Sequence, residues 1–197
     1  MNRKVFVAGC GGLGCYCVEL LARLDMCDIL VADGDKFSLS NMNRQLYCTR
    51  ETIGSYKALQ AQERWSEKVT GITEFITEEN ISSLLSGCCL AVDALDNIPS
   101  RRLLASGCER LGIPMVYGAI GSTNSQVCVI YPGDKGVLDI LYPSDRAAKI
   151  TTLSFTPAHC ASLQIALAEK ILRGESPEGR VLYISDLGSF DFERIKL

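Results

Sequence analysis

Apolar residues form two recurring patterns along the first part of the chain. Residues 4–8 are a short apolar run that ends in glycines, which is typical of a buried strand. Residues 13–24 repeat apolar side chains at the spacing of a helix, and residues 27–33 form a second apolar run. The beginning of the chain therefore predicts a β-α-β unit with a glycine-rich turn after its first strand.

The same alternation continues to the middle of the chain. The pattern predicts helices at residues 51–65, 78–85 and 99–111, and strands at residues 71–76, 89–95 and 113–120. Strands that alternate with helices are typical of a mainly parallel sheet with helices on both faces. We therefore expect a Rossmann-like α/β fold.

The last part of the chain has a different pattern. A strand beginning at Ser125 follows its predecessor closely and predicts an antiparallel pair, and residues 157–172 predict an amphipathic helix. Two final strands flank a turn at residues 187–189. Residues 136–156 lack clear periodicity, so we expect a flexible loop there. The prediction is one domain over residues 1–197, with antiparallel strands added at the C-terminal end of the sheet.

Composition narrows the class of protein. The 197 residues are 47% apolar, enough for one sizeable core, and the net charge is −3. Without a block of like charges, neither nucleic acid nor a membrane surface is favoured as a partner. The ten cysteines contain no C-x-x-C pair, and the N-terminus does not resemble a signal peptide. We expect reduced thiols and a cytoplasmic protein.

A glycine-rich motif follows the first predicted strand. Residues 9–14, GCGGLG, fit G-x-G-x-x-G, and Asp33 ends the next strand about 20 residues further on. Glycines let the backbone approach a phosphate, whose charge the helix N-terminus stabilises, and the aspartate would accept the ribose hydroxyls. The motif predicts nucleotide binding; the alternative is a tight packing turn without a ligand.

Polar side chains follow this aspartate. Asn41, Arg44 and Gln45, with Lys57 beyond them, supply two cations and two amides near the expected position of a triphosphate. Cations around a phosphoryl group stabilise the charge that builds on its oxygens during displacement at phosphorus. The alternative interpretation is a solvated loop and a surface lysine.

Asp96 follows another strand of the same predicted sheet, where strand ends meet in the ligand crevice. A carboxylate beside a triphosphate would be repelled without a divalent cation between them, so we expect Asp96 to be a magnesium ligand. Asp93, within the predicted strand, could equally be structural and cap the helix at residues 99–111. Of Arg101 and Arg102, we expect one to face phosphate and the other to be solvated.

Taken together, these motifs carry a family resemblance in both order and spacing: residues 9–14, Asp33-Gly34-Asp35, Ser40-Asn41-Met42-Asn43-Arg44-Gln45, Lys57, Asp96-Asn97 and Arg101. They resemble the adenylation domain of the ThiF/MoeB/HesA family, bacterial relatives of ubiquitin-activating enzymes. The resemblance covers residues 5–101 and extends more loosely through residues 162–164 to the C-terminal strands.

This resemblance implies an adenylyltransferase that binds ATP and Mg²⁺. Its substrate would be a small ubiquitin-like sulfur carrier protein ending in Gly-Gly, whose C-terminal glycine is adenylated with release of pyrophosphate. The pathway would be thiamin or molybdenum or tungsten cofactor biosynthesis, or related sulfur transfer. Because the carrier supplies the carboxylate nucleophile, alignment and charge stabilisation would suffice. The resemblance also implies a homodimer.

The resemblance assigns a role to each matching residue. The nucleotide would be held by Gly9, Gly11, Gly12, Gly14, Asp33 and Asp35. The triphosphate would be oriented, and its charge stabilised, by Asn41, Arg44, Gln45 and Lys57. Asp96 would position magnesium and Arg101 would support the phosphates.

Three departures from the family pattern change the expectations. Many relatives bind structural zinc on two C-x-x-C pairs, but residues 142–156 contain no cysteine and the chain ends about where the last pair would follow, so we expect no zinc. Relatives often carry an N-terminal arginine for the partner subunit's site. Met1 lies only a few residues before the first strand, so Arg3, or Arg44 acting across a dimer, would have to replace it.

The third point concerns the cysteine that some relatives use to take up the activated carrier. Cys160 is the candidate for this thiol. It lies at the start of a predicted helix, where the helix N-terminus lowers a thiol's pKa. His159 is adjacent, but neighbouring residues on a helix do not face the same way. The favoured interpretation is that Cys160 packs inside the protein.

Other functions fit part of the pattern. The same scaffold could adenylate a small molecule or a modified tRNA base, although the weakly acidic charge disfavours RNA. A nicotinamide-dependent oxidoreductase would need only the glycine motif and would leave Arg44, Gln45 and Lys57 without a role. A non-catalytic nucleotide-binding scaffold is the remaining alternative.

Overall fold

A computed structural model describes residues 3–144 and 153–197 of the chain. Its strands are β1 Lys4–Ala8, β2 Asp28–Ala32, β3 Val69–Ile72, β4 Leu90–Asp93, β5 Met115–Ile120, β6 Asn124–Ile130, β7 Val181–Asp186 and β8 Asp191–Lys196. Its α-helices are α1 Gly12–Leu24, α2 Lys57–Arg64, α3 Ile81–Leu85, α4 Ile98–Leu111, α5 Val137–Leu141 and α6 Phe155–Leu172, and Leu39–Asn41 form a 3₁₀ turn.

The strands form one eight-stranded sheet in the order β3-β2-β1-β4-β5-β6-β7-β8. Strands β1 to β5 are parallel to one another, and the pairs β5–β6, β6–β7 and β7–β8 are antiparallel. The mixed Rossmann-like sheet predicted from the sequence is confirmed. The chain leaves β1 toward β2 on one side and β4 lies on its other side, so the strand order reverses at β1 and opens a crevice at the carboxyl ends.

Two cores cover the faces of the sheet. On β1, Val5 and Val7 belong to the core built with α1, α2 and α6, whereas Phe6 and Ala8 belong to the core built with α3 and α4. This alternation follows from the period of two along a strand. No helix in the described part of the chain is long and apolar enough to cross a membrane.

The prediction of a helix over residues 51–65 is wrong at its beginning. Helix α2 starts only at Lys57, because residues 51–55 form turns in which Gly54 has φ +87°. The Gly54 N–H donates to the Phe37 carbonyl at 2.9 Å, and Lys36 bridges to Tyr56. Pairing with the segment that contains Phe37 thus replaces the expected helical turns and fixes where Lys57 begins its helix.

Smaller corrections concern the predicted strand 71–76, the cap of α4 and the predicted loop. Strand β3 ends at Ile72, which leaves residues 75 and 76 outside the sheet. Asn97, and not Asp93, caps α4 by accepting the Ser100 N–H at 2.9 Å. Within the predicted loop at 136–156, residues 137–141 form α5, and residues 145–152 lie outside the described residues.

Candidate active site

A cavity of about 440 Å³ lies at the carboxyl ends of the parallel strands. Such a volume is ordinary for a small-molecule site. The residues that line it come from each of the five strand ends: Gly9, Gly11, Gly12, Leu13, Ala32, Asp33, Asp35, Arg44, Gln45, Lys57, Phe75, Ile76, Ala94, Leu95, Asp96, Asn97, Ile98, Ser100, Arg101, Ala119, Ile120 and Tyr142. The cavity therefore contains most of the site residues expected from the sequence; Gly14, Asn41 and Cys160 are not among its lining residues.

The glycine turn between β1 and α1 combines packing with open space. Gly9 has φ +92°, and a Cβ at Gly14 would lie 2.0 Å from the Gly9 carbonyl oxygen, so Gly14 serves close helix–strand packing. A Cβ built at Gly11 or Gly12 would meet only ordinary contacts, at 3.6 Å or more. Helix α1 starts at Gly12 without a side-chain cap. This uncapped turn beside the cavity can receive an anion.

Asp33 joins the glycine turn to the loop after β2. Its side chain is nearly buried, with Oδ2 accepting the Cys10 N–H at 2.7 Å and Oδ1 accepting the Asp35 N–H at 2.8 Å. Burial raises the pKa of this carboxyl, and the charge of Lys57 opposes the rise. Each carboxylate oxygen can accept further hydrogen bonds, so the cavity side of Asp33 can bind hydroxyl groups.

Lys57 is held at the cavity by Asp35. Its residue is 7% exposed, and Nζ lies 2.8 Å from Asp35 Oδ2. The Lys57 N–H also donates to the Asp35 carbonyl at 3.0 Å, so the start of α2 and the loop after β2 are joined twice. The Asp35 side chain is 54% exposed. This ion pair borders the cavity with its carboxylate still accessible to solvent.

Arg44 and Gln45 reach the glycine turn from the polar segment. A Cβ at Gly12 would lie 3.7 Å from Arg44 Cγ, and one at Gly11 would lie 3.8 Å from Gln45 Nε2. Gln45 is 6% exposed, and within the described residues its Oε1 has no hydrogen-bond partner. A buried amide oxygen without a donor is costly, which is consistent with a bound molecule or water completing it.

Asn41 stabilises this segment locally. Its Oδ1 accepts the Ser38 N–H at 3.0 Å and lies 3.2 Å from Ser38 Oγ, closing the 3₁₀ turn. Arg44 Nη1 donates to the Ser40 carbonyl and to Asn43 Oδ1, both at 2.8 Å. The described positions therefore place the Asn41 oxygen in a cap, and Arg44 beside the glycine turn.

Asp96 lies exposed at the opposite wall of the cavity, where Asn97 Nδ2 donates to its Oδ1 at 3.3 Å. Among residues 3–144 and 153–197, no group of three or more His, Cys, Asp or Glu side chains could hold a metal by itself. Mg²⁺ commonly binds through one or two carboxylates together with substrate phosphates. A single accessible carboxylate in the cavity lining fits that mode of binding.

Arg101 lines the same cavity but is held by the protein. Its Nη1 donates to Asp93 Oδ2 and to the Gly118 carbonyl, both at 2.7 Å, and its Nη2 donates to the Leu95 carbonyl. Burial raises the pKa of Asp93, an effect that the adjacent guanidinium opposes. Arg102 is not simply solvated, because it pairs with Asp139 and donates to the Tyr142 carbonyl.

Cys160 lies inside the protein between α6 and the sheet. Its thiol is buried and contacts the carbonyls of Ala119 and Gln126 at 3.7 and 3.9 Å. Burial raises its pKa to about 12. These contacts agree with the packing interpretation and leave no accessible thiolate at this position.

Among the lining residues that sequence reasoning did not identify are two aromatic ones, Phe75 and Tyr142. Phe75 was placed in a strand, although β3 ends three residues before it. Tyr142 follows α5, and its hydroxyl lies 2.7 Å from the hydroxyl of buried Tyr117. Phe75 is 62% exposed, an unusual position for a large aromatic residue, but no sequence pattern pointed to it or to Tyr142.

The whole chain, residues 1–197, matches the ThiF family model, so the protein belongs to the ThiF family. It is 33% identical to the sulfur carrier protein adenylyltransferase of Thermus thermophilus, over 87% of this chain and 69% of that protein. It is 29% identical to the SAMP-activating enzyme E1 of Haloferax volcanii, over 99% of this chain and 77% of that protein.

Solved structures show the same fold. The crystal structure of Escherichia coli MccB with succinimide superposes with a TM-score of 0.84 at 16% identity, over 99% of this chain and 64% of that one. The E. coli tRNA N6-threonylcarbamoyladenosine dehydratase TcdA, solved with AMP, gives a TM-score of 0.73 at 21% identity, over 88% and 87%. At these identities the likeness concerns the fold alone.

Proposed function

We propose that this chain is an ATP-dependent adenylyltransferase that activates the C-terminal glycine of a ubiquitin-like sulfur carrier protein and releases pyrophosphate. One observation carries the proposal: in a ThiF family chain, Asp33, Lys57, Arg44, Gln45 and Asp96 line a single cavity beside the uncapped start of α1. The Thermus thermophilus relative is named a sulfur carrier protein adenylyltransferase, which supports this class of acceptor.

The order of strands supports one orientation for the nucleotide. Asp33 follows β2, the glycine turn follows β1 and Asp96 follows β4, and these three strands are adjacent in the sheet. With the ribose hydroxyls on Asp33, the phosphates extend over the glycine turn toward Asp96. Backbone N–H groups at the start of α1 would then face the phosphates.

The cations would stabilise the charge that develops at the α-phosphate. Lys57 and Arg44 both line the cavity, and the side chains of Arg44 and Gln45 lie next to the glycine turn. When bound at Asp96, Mg²⁺ would neutralise part of the triphosphate charge. Bringing the acceptor carboxylate in line with the phosphorus is then a matter of positioning.

The acceptor would enter beside β5. Ala119, Ile120 and Tyr142 line this end of the cavity, across the glycine turn from Asp33. These three residues are uncharged, which suits an uncharged, slim peptide segment such as two glycines. Attack of its carboxylate oxygen on the α-phosphorus forms an acyl adenylate, and the bond to the departing pyrophosphate breaks.

The test is exchange of labelled pyrophosphate into ATP with Mg²⁺ and a panel of sulfur carriers that end in Gly-Gly. We expect exchange that depends on one or more carriers and is lost in Lys57→Ala. Lys170→Ala is the matched control, because Lys170 pairs with Glu175 on the surface, away from the cavity. Absence of exchange with every carrier, in protein that binds ATP, would contradict the proposed acceptor and favour a small molecule, a tRNA base or a non-catalytic scaffold.

A further inference from the structure

Phe75 is an exposed aromatic side chain at the β3 end of the cavity. The residue is 62% exposed although it lines the cavity together with buried Ile76 and Ala32. The backbone around it is fixed, because Asn80 Nδ2 donates to the Phe75 carbonyl at 2.9 Å and the Ile76 side chain is in the core beneath α3 and α4. A ring held in this way presents an apolar surface to the cavity.

The Phe75 ring lies directly against Gly34. A Cβ built at Gly34 would be 2.8 Å from two atoms of the ring, closer than any side chain tolerates. Gly34 follows Asp33, whose carboxylate is the expected ribose partner. The pair of Gly34 and Phe75 therefore places an aromatic ring next to the ribose position, on the side away from the glycine turn.

The geometry of a nucleotide determines what meets this ring. The phosphates and the base are attached at opposite ends of the ribose, and the proposed orientation directs the phosphates from β2 toward β1. The base must then extend toward β3, where Phe75, Ile76 and Ala32 line the cavity with apolar side chains. Aromatic rings bind bases by stacking on the face of the base.

We propose that Phe75 stacks on the base of the bound nucleotide, and that Gly34 is required because it leaves room for the ring. This inference rests on the nucleotide site of the proposed function but not on the acceptor. It assigns base binding to an apolar wall and the phosphates to the polar groups across β2 and β1. Phe75 is therefore a binding determinant for the nucleoside half of the substrate.

Direct binding tests this assignment without an acceptor. We expect Phe75→Ala to weaken ATP binding about tenfold and Phe75→Trp to retain it, because stacking needs an aromatic ring. Phe192→Ala is the matched control, since Phe192 is also 62% exposed but lies on the edge strand β8. Inorganic triphosphate is the second probe, and its affinity should be the same in all three variants and the unsubstituted protein.

Unchanged ATP affinity in Phe75→Ala would overturn the proposal, and so would an equal loss for ATP and inorganic triphosphate. Thermal unfolding of each variant separates a loss of binding from a loss of fold. Gly34→Ala offers an independent check, because the added methyl group must displace the Phe75 ring. This variant should also weaken the binding of ATP while leaving the affinity for inorganic triphosphate unchanged. If no acceptor is adenylated but ATP binding depends on Phe75, the proposed function fails and this inference stands.

Discussion

Lys57 and Arg101 are two buried cations at the same cavity, and the protein holds them differently. Within the described residues, Lys57 Nζ is held by one side chain, Asp35, which is 54% exposed. Arg101 is held by Asp93, whose side chain is 0% exposed, and by the carbonyls of Gly118 and Leu95. Asp93 and Arg101 stabilise the strand ends. Lys57 can instead leave Asp35 for a ligand, because water can hydrate the exposed Asp35 carboxylate.

The contrast shows what decides the role of a cation near a strand end. The family resemblance implied the same contact with phosphate for both residues. Burial and the number of protein acceptors separate them, because Arg101 donates three hydrogen bonds to protein acceptors, whereas within the described residues Lys57 Nζ is bonded to one side chain. We therefore propose that Arg101 acts on the nucleotide only through the positions of Asp93 and the neighbouring strand ends.

The largest expected effect is on stability. Arg101→Ala should lower the free energy of unfolding by about 3–5 kcal/mol, because it leaves the Asp93 carboxylate buried without its partner. Arg173→Ala at the C-terminal cap of α6, which breaks a surface pair with Glu169, should cost about 1 kcal/mol or less. Urea denaturation of both variants measures the difference. Equal losses of unfolding free energy in the two variants would show that the buried pair contributes no more to stability than the surface pair.

Should Arg101→Ala fail to fold, a double variant keeps the comparison measurable. Replacing both partners, as Asp93→Asn with Arg101→Met, removes the uncompensated charge and should recover part of the stability lost by the single variant. If the double variant loses as much free energy of unfolding as the two single variants together, Asp93 and Arg101 do not stabilise each other, which would contradict this interpretation.

Lys57→Ala should affect turnover more than stability. Removing one charge-stabilising donor typically lowers kcat about 10²- to 10³-fold, whereas Asp35 can be hydrated once its partner is absent. We expect the free energy of unfolding to change by about 1 kcal/mol or less. Steady-state adenylation and urea denaturation of the same preparation measure both quantities. A large loss of stability with normal turnover would reverse the roles assigned to the two cations.

The smallest effect concerns Asp33 and pH. Burial raises its folded pKa above the ordinary value of 3.8, so the folded state binds this proton more tightly than the unfolded state. Its contribution to stability is therefore complete below pH 3.8 and is lost as the pH rises through the folded pKa. In Asp33→Asn, the free energy of unfolding should therefore decrease less as the pH rises from 3.8 through the folded pKa of Asp33. Urea midpoints measured without nucleotide test this.

Lys57 connects this pH effect to the comparison. Because its charge opposes the rise in the Asp33 pKa, Lys57→Ala should extend the fall in stability to higher pH. Lys170→Ala, at the surface, should leave the profile unchanged. An identical profile in Lys57→Ala would show that the two charges do not interact.

The alternation of strands and helices predicted the sheet because buried strands and amphipathic helices have clear periods. The beginning of α2 was missed because Gly54 and the pairing of residues 36–37 with residues 54–56 are tertiary features that outweigh local helical periodicity. Phe75 was missed for a related reason, since an apolar run does not show where strand pairing stops.

The site shows the same limit at the level of side chains. The spacing of Asp33, Lys57 and Asp96 predicted residues that the fold brings to one cavity. It could not predict that Arg101 is held by Asp93 and two carbonyls, or that Cys160 is buried, because both depend on contacts with other strands. Sequence motifs identified the strand ends that meet, and tertiary packing determined which side chains remain available there.

The most direct measurement follows the two ends of the triphosphate separately. The protein would be incubated with Mg²⁺, the panel of carriers and ATP labelled either at the α-phosphate or at the γ-phosphate. We predict α-label on a carrier as its acyl adenylate, with γ-label in pyrophosphate. Transfer of γ-label to any carrier, or release of γ-label as orthophosphate without α-label on a carrier, would contradict adenylation at this site.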